Sequence, residues 1–282
     1  MLTEQATSLY ALPAVGDSIS VPLLTRQRSA RCQKVVAVLT ERMPGRFSGE
    51  LGLTLAPNRP NDLFLWFLAA LLYGTRISGT IVAHTHAEFV RRGLVTPEKI
   101  LKTGWDGLVV VLDAGGYVRY DFKTATKLLA VMRHLVDQYH GDLNKLYHAA
   151  KDASDLESRL KALGKGIGEV TVQIFLRELR DLWPKARPEL SYLAVLAAKD
   201  LRLLSPATAR RGGSQVEALM ALWNERKRKN KTFGDFESAL VRLGRDYCRR
   251  WWQVCPMREY CGRRGAPTAT KHRTMAQVKN HD

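Results

Sequence analysis

Apolar positions recur at helical spacing along most of this chain. Between Asp121 and Tyr139 they fall at Leu128, Leu129, Val131, Met132, Leu135 and Val136, the stripe of an amphipathic helix. Residues 29–43 carry Val35, Val36, Val38 and Leu39 and are closed by Pro44 and Gly45. The stretch 63–73, LFLWFLAALLY, is apolar on every side, which predicts a buried core helix capped by Asp62. Gly74, Thr75 and Arg76 break it. Further helices are expected at 78–92, 169–182, 191–203, 215–228 and 236–247, with Pro184 stopping the second of these. Thr96, Pro97 and Glu98 open a short helix that ends near Gly104. Ser154 and Glu157 have the spacing of a capping box, predicting a helix over 154–163. The stretch 105–120 holds GLVVVLDAGG, which reads as a buried strand or as helix followed by turn. Helices crowd it on both sides, and that favours the helix. The fold class is therefore all-α, with no internal repeat.

Composition narrows the partners. Of the 282 residues, 45% are hydrophobic, enough to bury a core. Lys and Arg number 44 against 27 Asp and Glu, so the chain carries +17. An excess of this size is the electrostatic footprint of a polyanion partner, nucleic acid first among them. The longest apolar run is too short for a bilayer, which needs about 20 residues. The N-terminus has an acid at Glu4 and lacks the basic-then-apolar layout of a signal peptide. The expectation is a cytoplasmic protein, associated with the nucleoid in a bacterium or the nucleus in a eukaryote, with no membrane contact.

The most informative motif is the turn Gly164-Lys165-Gly166-Ile167-Gly168 between two predicted helices. Its glycines permit a sharp turn and close backbone approach. The first amides of the following helix lack intrahelical partners, and the helix dipole makes them an anion site suited to a DNA phosphate. Lys165 adds charge, and Ile167 is expected to bury between the helices. The alternative is a glycine-rich corner without a ligand.

Here the sequence resembles a known family. LKALGKGIGEVTVQIFLREL is similar to the helix–hairpin–helix of the endonuclease III superfamily of DNA glycosylases, whose motif is Leu-Pro-Gly-Val-Gly-x-x-Thr-Ala. Gly166, Ile167, Gly168 and Thr171 match it, while Lys165 stands for the proline and Val172 for the alanine. Gly116, Tyr117, Lys123, Leu128 and Tyr139 match the family's upstream segment, and 63–78 resembles its early core helix and turn. The C-terminal CRRWWQVCPMREYC resembles its iron–sulfur loop. The likeness spans about residues 29–262.

The departures fall on the chemistry. Bifunctional members carry a Schiff-base lysine two residues beyond the second hairpin glycine, where this chain has Val170. The aspartate that stabilises the sugar cation or activates water would fall at Pro188, with Glu189 beside it, so Glu189 is the candidate catalytic carboxylate. Asp121, Lys123 and Asp200 are the other candidates if the chemistry has moved. The glutamine that fills the gap left by a flipped base corresponds to Gly74, which cannot act as a wedge.

Cys248, Cys255 and Cys261 cluster near the C-terminus, which favours ligation over simple packing. The resemblance implies a 4Fe-4S cluster, for which one thiolate is missing locally; Cys32 on the first helix is the candidate fourth ligand. A cluster with a non-cysteine ligand, no cluster, and zinc are the alternatives. His84 and His86, two apart on a helix, point to different faces and do not form a metal pair. Basic residues supply two further surfaces: Arg226, Lys227, Arg228, Lys229 and Lys231, and the collar Arg245, Arg249, Arg250, Arg263 and Arg264 around the cysteines. Trp251 and Trp252 are expected to pack rather than stack on bases.

Taken together, these features predict a bilobal helix–hairpin–helix glycosylase-like fold. Residues 1–28 form an irregular arm, 29–59 with 186–262 a cluster-side lobe, 60–185 a bundle with the hairpin, and 263–282 a basic tail. The implied partner of this monomer is damaged or distorted double-stranded DNA. The implied activity is base removal by N-glycosidic hydrolysis without efficient lyase chemistry; the alternatives are a DNA-binding module that cuts nothing and a generic helical RNA-binding protein.

Overall fold

A computed structural model describes residues 21–205, 212–226, 228–251 and 254–262. The first twenty residues of the expected arm, Lys227, Trp252 and the tail 263–282 lie outside the described residues. Among the described residues twelve α-helices run in order: α1 Val21–Arg42, α2 Phe47–Glu50, α3 Pro60–Tyr73, α4 Gly79–Arg91, α5 Pro97–Ala114, α6 Asp121–Tyr139, α7 Leu143–Ala149, α8 Ala153–Ala162, α9 Glu169–Leu179, α10 Tyr192–Asp200, α11 Gly212–Asn224 and α12 Phe233–Leu243. A π-helical segment, Gly244–Trp251, continues α12, and a 3-10 turn spans Arg258–Tyr260. Among the described residues there is no strand, and no helix is long and apolar enough to cross a membrane.

Local sequence explains most of the boundaries. Ser78, Thr96, Asp142, Asp152 and Ser191 each cap a helix by accepting a backbone N–H into the side chain, and each removes an orphan donor from a first turn. Thr232 opens α12 with a reciprocal capping box to Asp235. Two expected caps are corrected. Helix α8 starts at Asp152, whose carboxylate accepts from Asp155 N at 2.9 Å, so Ser154 lies inside the helix. Helix α3 starts with Pro60 at its first position, which places Asp62 in the first turn, where its charge still favours the dipole. The doubtful stretch 105–120 is helical to Ala114, and α5 is kinked at Gly104, where φ is +71°.

Helix α3 is the centre of the core. Every residue from Leu63 to Leu72 is buried, and the Trp66 indole N–H donates to the Phe175 carbonyl on α9 at 3.1 Å. The packing partners fall into two sets. Helices α3 to α9 pack on one another, and α1, α10, α11, α12 and the π segment pack on one another, with α9 against α12 between them. The buried apolar residues nevertheless form one continuous cluster, from Cys32 to Met257.

Ion pairs stitch the two sets together. Arg180, the C-cap of α9, grips Glu237 on α12 with both side chains at most 5% exposed. Glu178 accepts from Ser48 N, Ser48 Oγ and Ser238 Oγ, and Arg46 reaches Asp181 and the Glu178 carbonyl. Pairs this deep repay their desolvation only because the remaining hydrogen-bonding groups are largely satisfied.

Candidate nucleic-acid interface

The hairpin between α8 and α9 is built tightly. Gly166 has φ +91°, a conformation that other residues adopt only under strain. The Ile167 amide donates to the Gly164 carbonyl at 3.2 Å, and the Ile167 side chain is only 6% exposed. Gly168 is the N-cap of α9 and supplies no side-chain cap, so the first amides of α9 have no partner within the helix. A Cβ placed on Gly168 would meet nothing within 4 Å, which makes this the open face of the turn. Lys165, Gly166 and Gly168 are exposed.

The other side of the hairpin is fixed to the bundle. A Cβ on Gly164 would lie 2.7 Å from Val131 Cγ2 on α6, and His134 Nδ1 sits 2.9 Å from the Leu163 carbonyl. Thr171 is buried, and a Cβ on Gly74 would fall 2.2 Å from its Oγ1. Gly74 thus admits α9 to the end of α3, and Thr171 faces the core rather than a ligand. Lys127 also belongs to this side and was not among the residues expected from sequence. Its Nζ donates to the Leu71 carbonyl at 2.9 Å, at the negative end of the α3 dipole, and burial pushes its ammonium down to about 8. The legible signal was its place beside the buried stripe of Thr124, Leu128 and Val131.

Glu169 and Val170 begin α9 on the surface. The Glu169 carboxylate takes a 2.5 Å hydrogen bond from Lys161, which also approaches Glu157 at 3.8 Å. Val170 is 58% exposed. Glu189 is exposed, and its backbone carbonyl accepts from Gln173 Nε2 at 2.8 Å. It adds to the negative field that, after burial, pushes the Glu157 carboxyl up. Glu189 therefore lies on the flank of α9 that faces α8, beside Glu157 and Gln173. Ser191, two residues on, is the cap of α10. Asp121 and Lys123 lie at the start of α6, and Asp200 ends α10.

The basic run divides by role. Arg226 and Lys229 are exposed. Arg228 turns inward: its guanidinium lies 4.4 Å from the Trp223 ring centroid and donates to the Trp223 carbonyl and to Gln33 Oε1. Lys231 donates to the Thr40 carbonyl at 2.8 Å near the end of α1. On the π segment Arg249 and Arg250 are exposed, while Arg245 is held by Asp246.

The cysteines show a partial gathering. Cys32 and Cys248 are buried, and Cys255 and Cys261 are half-buried. Burial pushes the Cys255 thiol up, and the nearby Cys261 and Asp200 push it further, while the Met257 amide, 3.4 Å from Cys255 Sγ, opposes them. Arg31, next to Cys32, donates to the carbonyls of Tyr260 and Leu201, tying α1 to the cysteine loop. Among the described residues, however, no three Cys, His, Asp or Glu side chains converge as a metal would need. A four-iron cluster normally takes four cysteine ligands, and this chain has four cysteines in all. His84 is exposed and His86 buried, on different faces as expected.

No family model matches this chain, and no curated protein matches it.

Proposed function

We propose that the chain is a DNA-repair protein that binds damaged or distorted duplex DNA through the α8–α9 hairpin. It removes a base by hydrolysing the N-glycosidic bond and lacks efficient lyase activity. The observation that carries this reading is the hairpin itself: a left-handed glycine, a buried isoleucine and an uncapped glycine at the start of a helix, with open space at the last. Backbone amides there offer a phosphate hydrogen bonds and the positive end of the dipole. Lys165 and the exposed Arg226, Lys229, Arg249 and Arg250 supply sequence-independent phosphate contacts. The two sets of helices are read as two lobes, with DNA across the seam between them. The absence of an amine at Val170 is the reason for assigning hydrolysis without strand cleavage.

Duplexes carrying oxidised, deaminated or alkylated bases test this reading in an excision assay, paired with borohydride trapping on an abasic site. Base release from one class without a trapped adduct is the expected result. Tight, salt-dependent binding with no release on any substrate leaves the second reading, a DNA-binding module without catalysis. That reading is favoured by one observation, the lack of a carboxylate at the position aligned with the family's aspartate. The cluster reading rests on cysteine spacing; anaerobically purified protein that is colourless and free of iron overturns it.

A further inference from the structure

Two aromatic rings stand on the surface where α5 meets α6. Trp105 is 39% and Phe122 58% exposed, and their ring centroids lie 5.3 Å apart at an interplanar angle of 39°. Neither ring is loose. The Trp105 indole N–H donates to Thr126 Oγ1 at 3.0 Å, and the Thr126 hydroxyl donates to the Phe122 carbonyl at 2.9 Å. The left-handed Gly104 breaks α5 immediately before the tryptophan, and a Cβ on Gly107 would stand 2.6 Å from Thr103 Cγ2 across that kink. The indole's single donor is therefore satisfied at the ring edge, while much of the ring surface is left to solvent.

Area decides what this surface fits. Aromatic side chains offer about 150–250 Å² each, so the exposed share is about 100 Å² per ring. A stable protein interface covers about 800 Å² on each partner. Adding Val110 and Val118, the other exposed large apolar residues of α5 and the turn after it, leaves the surface well short of that. A nucleobase is a flat ring system of matching size, and every base has a π face to offer an aromatic platform.

The charges near the rings are balanced. Lys102, Arg119 and Lys123 stand against Asp106, Asp113 and Asp121, and the last two share a hydrogen bond. Such a surface does not collect phosphates by itself, so a strand reaching it needs its backbone held close by. The hairpin is that close. Lys127 follows Thr126 on α6, and its Cδ lies 3.4 Å from where a Cβ on Gly166 would stand. The exposed Lys123 lies one turn earlier on the same face of α6, directly after Phe122. Phe122 is about 7.5 Å from Lys127 along the helix axis. A strand with a phosphate on the hairpin thus reaches the rings within a few nucleotides, passing Lys123.

We propose that Trp105 and Phe122 form a stacking platform for an unpaired base, so that the DNA held on the hairpin carries a single-stranded stretch beside its duplex. This rests on the hairpin reading above and adds a substrate class to it: duplex with an overhang, gap or flap. The rings are fixed before the base arrives, so little ordering opposes binding. Stacking takes any base, and it releases no counterions, so its contribution is nearly independent of salt.

Three labelled DNAs test the platform by fluorescence anisotropy: a blunt duplex, the same duplex with a short thymidine overhang, and one whose overhang has the same phosphates but abasic sugars. Wild-type protein is expected to bind the thymidine overhang about tenfold tighter than the blunt duplex, within the range one stacked base contributes. That ratio is expected to hold as salt is raised and to vanish with the abasic overhang. Trp105→Ala and Phe122→Ala are expected to lower it to about twofold or less with blunt-duplex affinity unchanged, and Trp105→Phe to keep most of it. Equal wild-type affinity for the thymidine and abasic overhangs overturns the platform without recourse to any variant. So does a preference that survives in a folded Trp105→Ala protein. Salt-dependent blunt-duplex binding with no preference for the overhang overturns the platform and leaves the hairpin reading intact; binding to none of the three DNAs overturns both. A wild-type dimer that Trp105→Ala converts to a monomer in sedimentation assigns the rings to a second copy of the chain and overturns the proposal.

Discussion

Gly74 and Thr171 should be energetically coupled across the contact that seats the hairpin. Gly74 has φ −66° and ψ −2°, a backbone conformation alanine adopts freely, so Gly74→Ala carries no backbone strain. Its cost is steric. The new Cβ would stand 2.2 Å from Thr171 Oγ1 and 3.4 Å from Thr171 Cβ. The clash is thus with the hydroxyl, and relief needs a shift of about 1 Å in a packed core. Overpacking of this kind costs about 1–3 kcal/mol. Thr171→Ala alone deletes a buried side-chain end and costs about 1 kcal/mol. In the double variant the added methyl enters the space the hydroxyl leaves, so the two losses should not add. Urea unfolding of the four proteins is expected to give a coupling of about 1–2 kcal/mol in favour of the double variant. Additive losses would refute the reasoning and free Gly74 for some role other than admitting α9 to α3.

Three further outcomes are expected. His86 is buried with no partner for Nε2, and burial holds its imidazole at about 4 rather than 6.5. The unfolded chain therefore binds a proton that the folded one refuses between those values, so stability is complete above pH 6.5 and falls as pH drops toward 4, by about 3 kcal/mol at most; His86→Leu should flatten that slope in unfolding measured against pH. Arg180→Leu leaves Glu237 buried without its main partner and should cost about 3–5 kcal/mol, whereas replacing both by leucine should cost much less; equal losses in thermal unfolding would show that the pair is not acting as a unit. Lys127→Met should be nearly neutral or stabilising at pH 7, because burial already works against the ammonium, and should remove the gain in stability that the wild type shows as pH rises through about 8 toward 10.5; an unchanged alkaline profile would contradict it.

How far the fold can be read from the chain depends on which forces set each element. Amphipathic stripes and cap residues are local, so α3, α4, α6 and α10 follow closely from the spacing of residues such as Leu128, Val131, Ser78 and Ser191. Spacing does not predict helix α7: its seven residues are too few for a periodic signal, and it is fixed by Asp142 and by packing against α3, α6 and α8. Ser154 has the pattern of a cap but loses to Asp152, which local spacing could not decide. The hairpin was legible because glycine at 166 and 168 has few other uses there. The charged surface was less so. Arg228 and Lys231 belong to a run that reads as solvent-facing, yet each bends back to carbonyls or a ring brought near by folding. The seam was not legible at all, since Tyr73, Gly79 and Arg245 are far apart in sequence and only packing joins them.

The central claim is that the open face of the α8–α9 turn receives a DNA phosphate, and Gly168→Ala tests it most directly. Gly168 has φ −101°, and an added Cβ touches nothing within 4 Å, so the variant should unfold with the wild-type midpoint. The methyl group projects where the phosphate would lie. Fluorescence anisotropy with a duplex oligonucleotide at fixed salt is expected to show about tenfold weaker binding, the loss of one charge-assisted contact. Wild-type affinity in a normally folded Gly168→Ala protein would contradict the account.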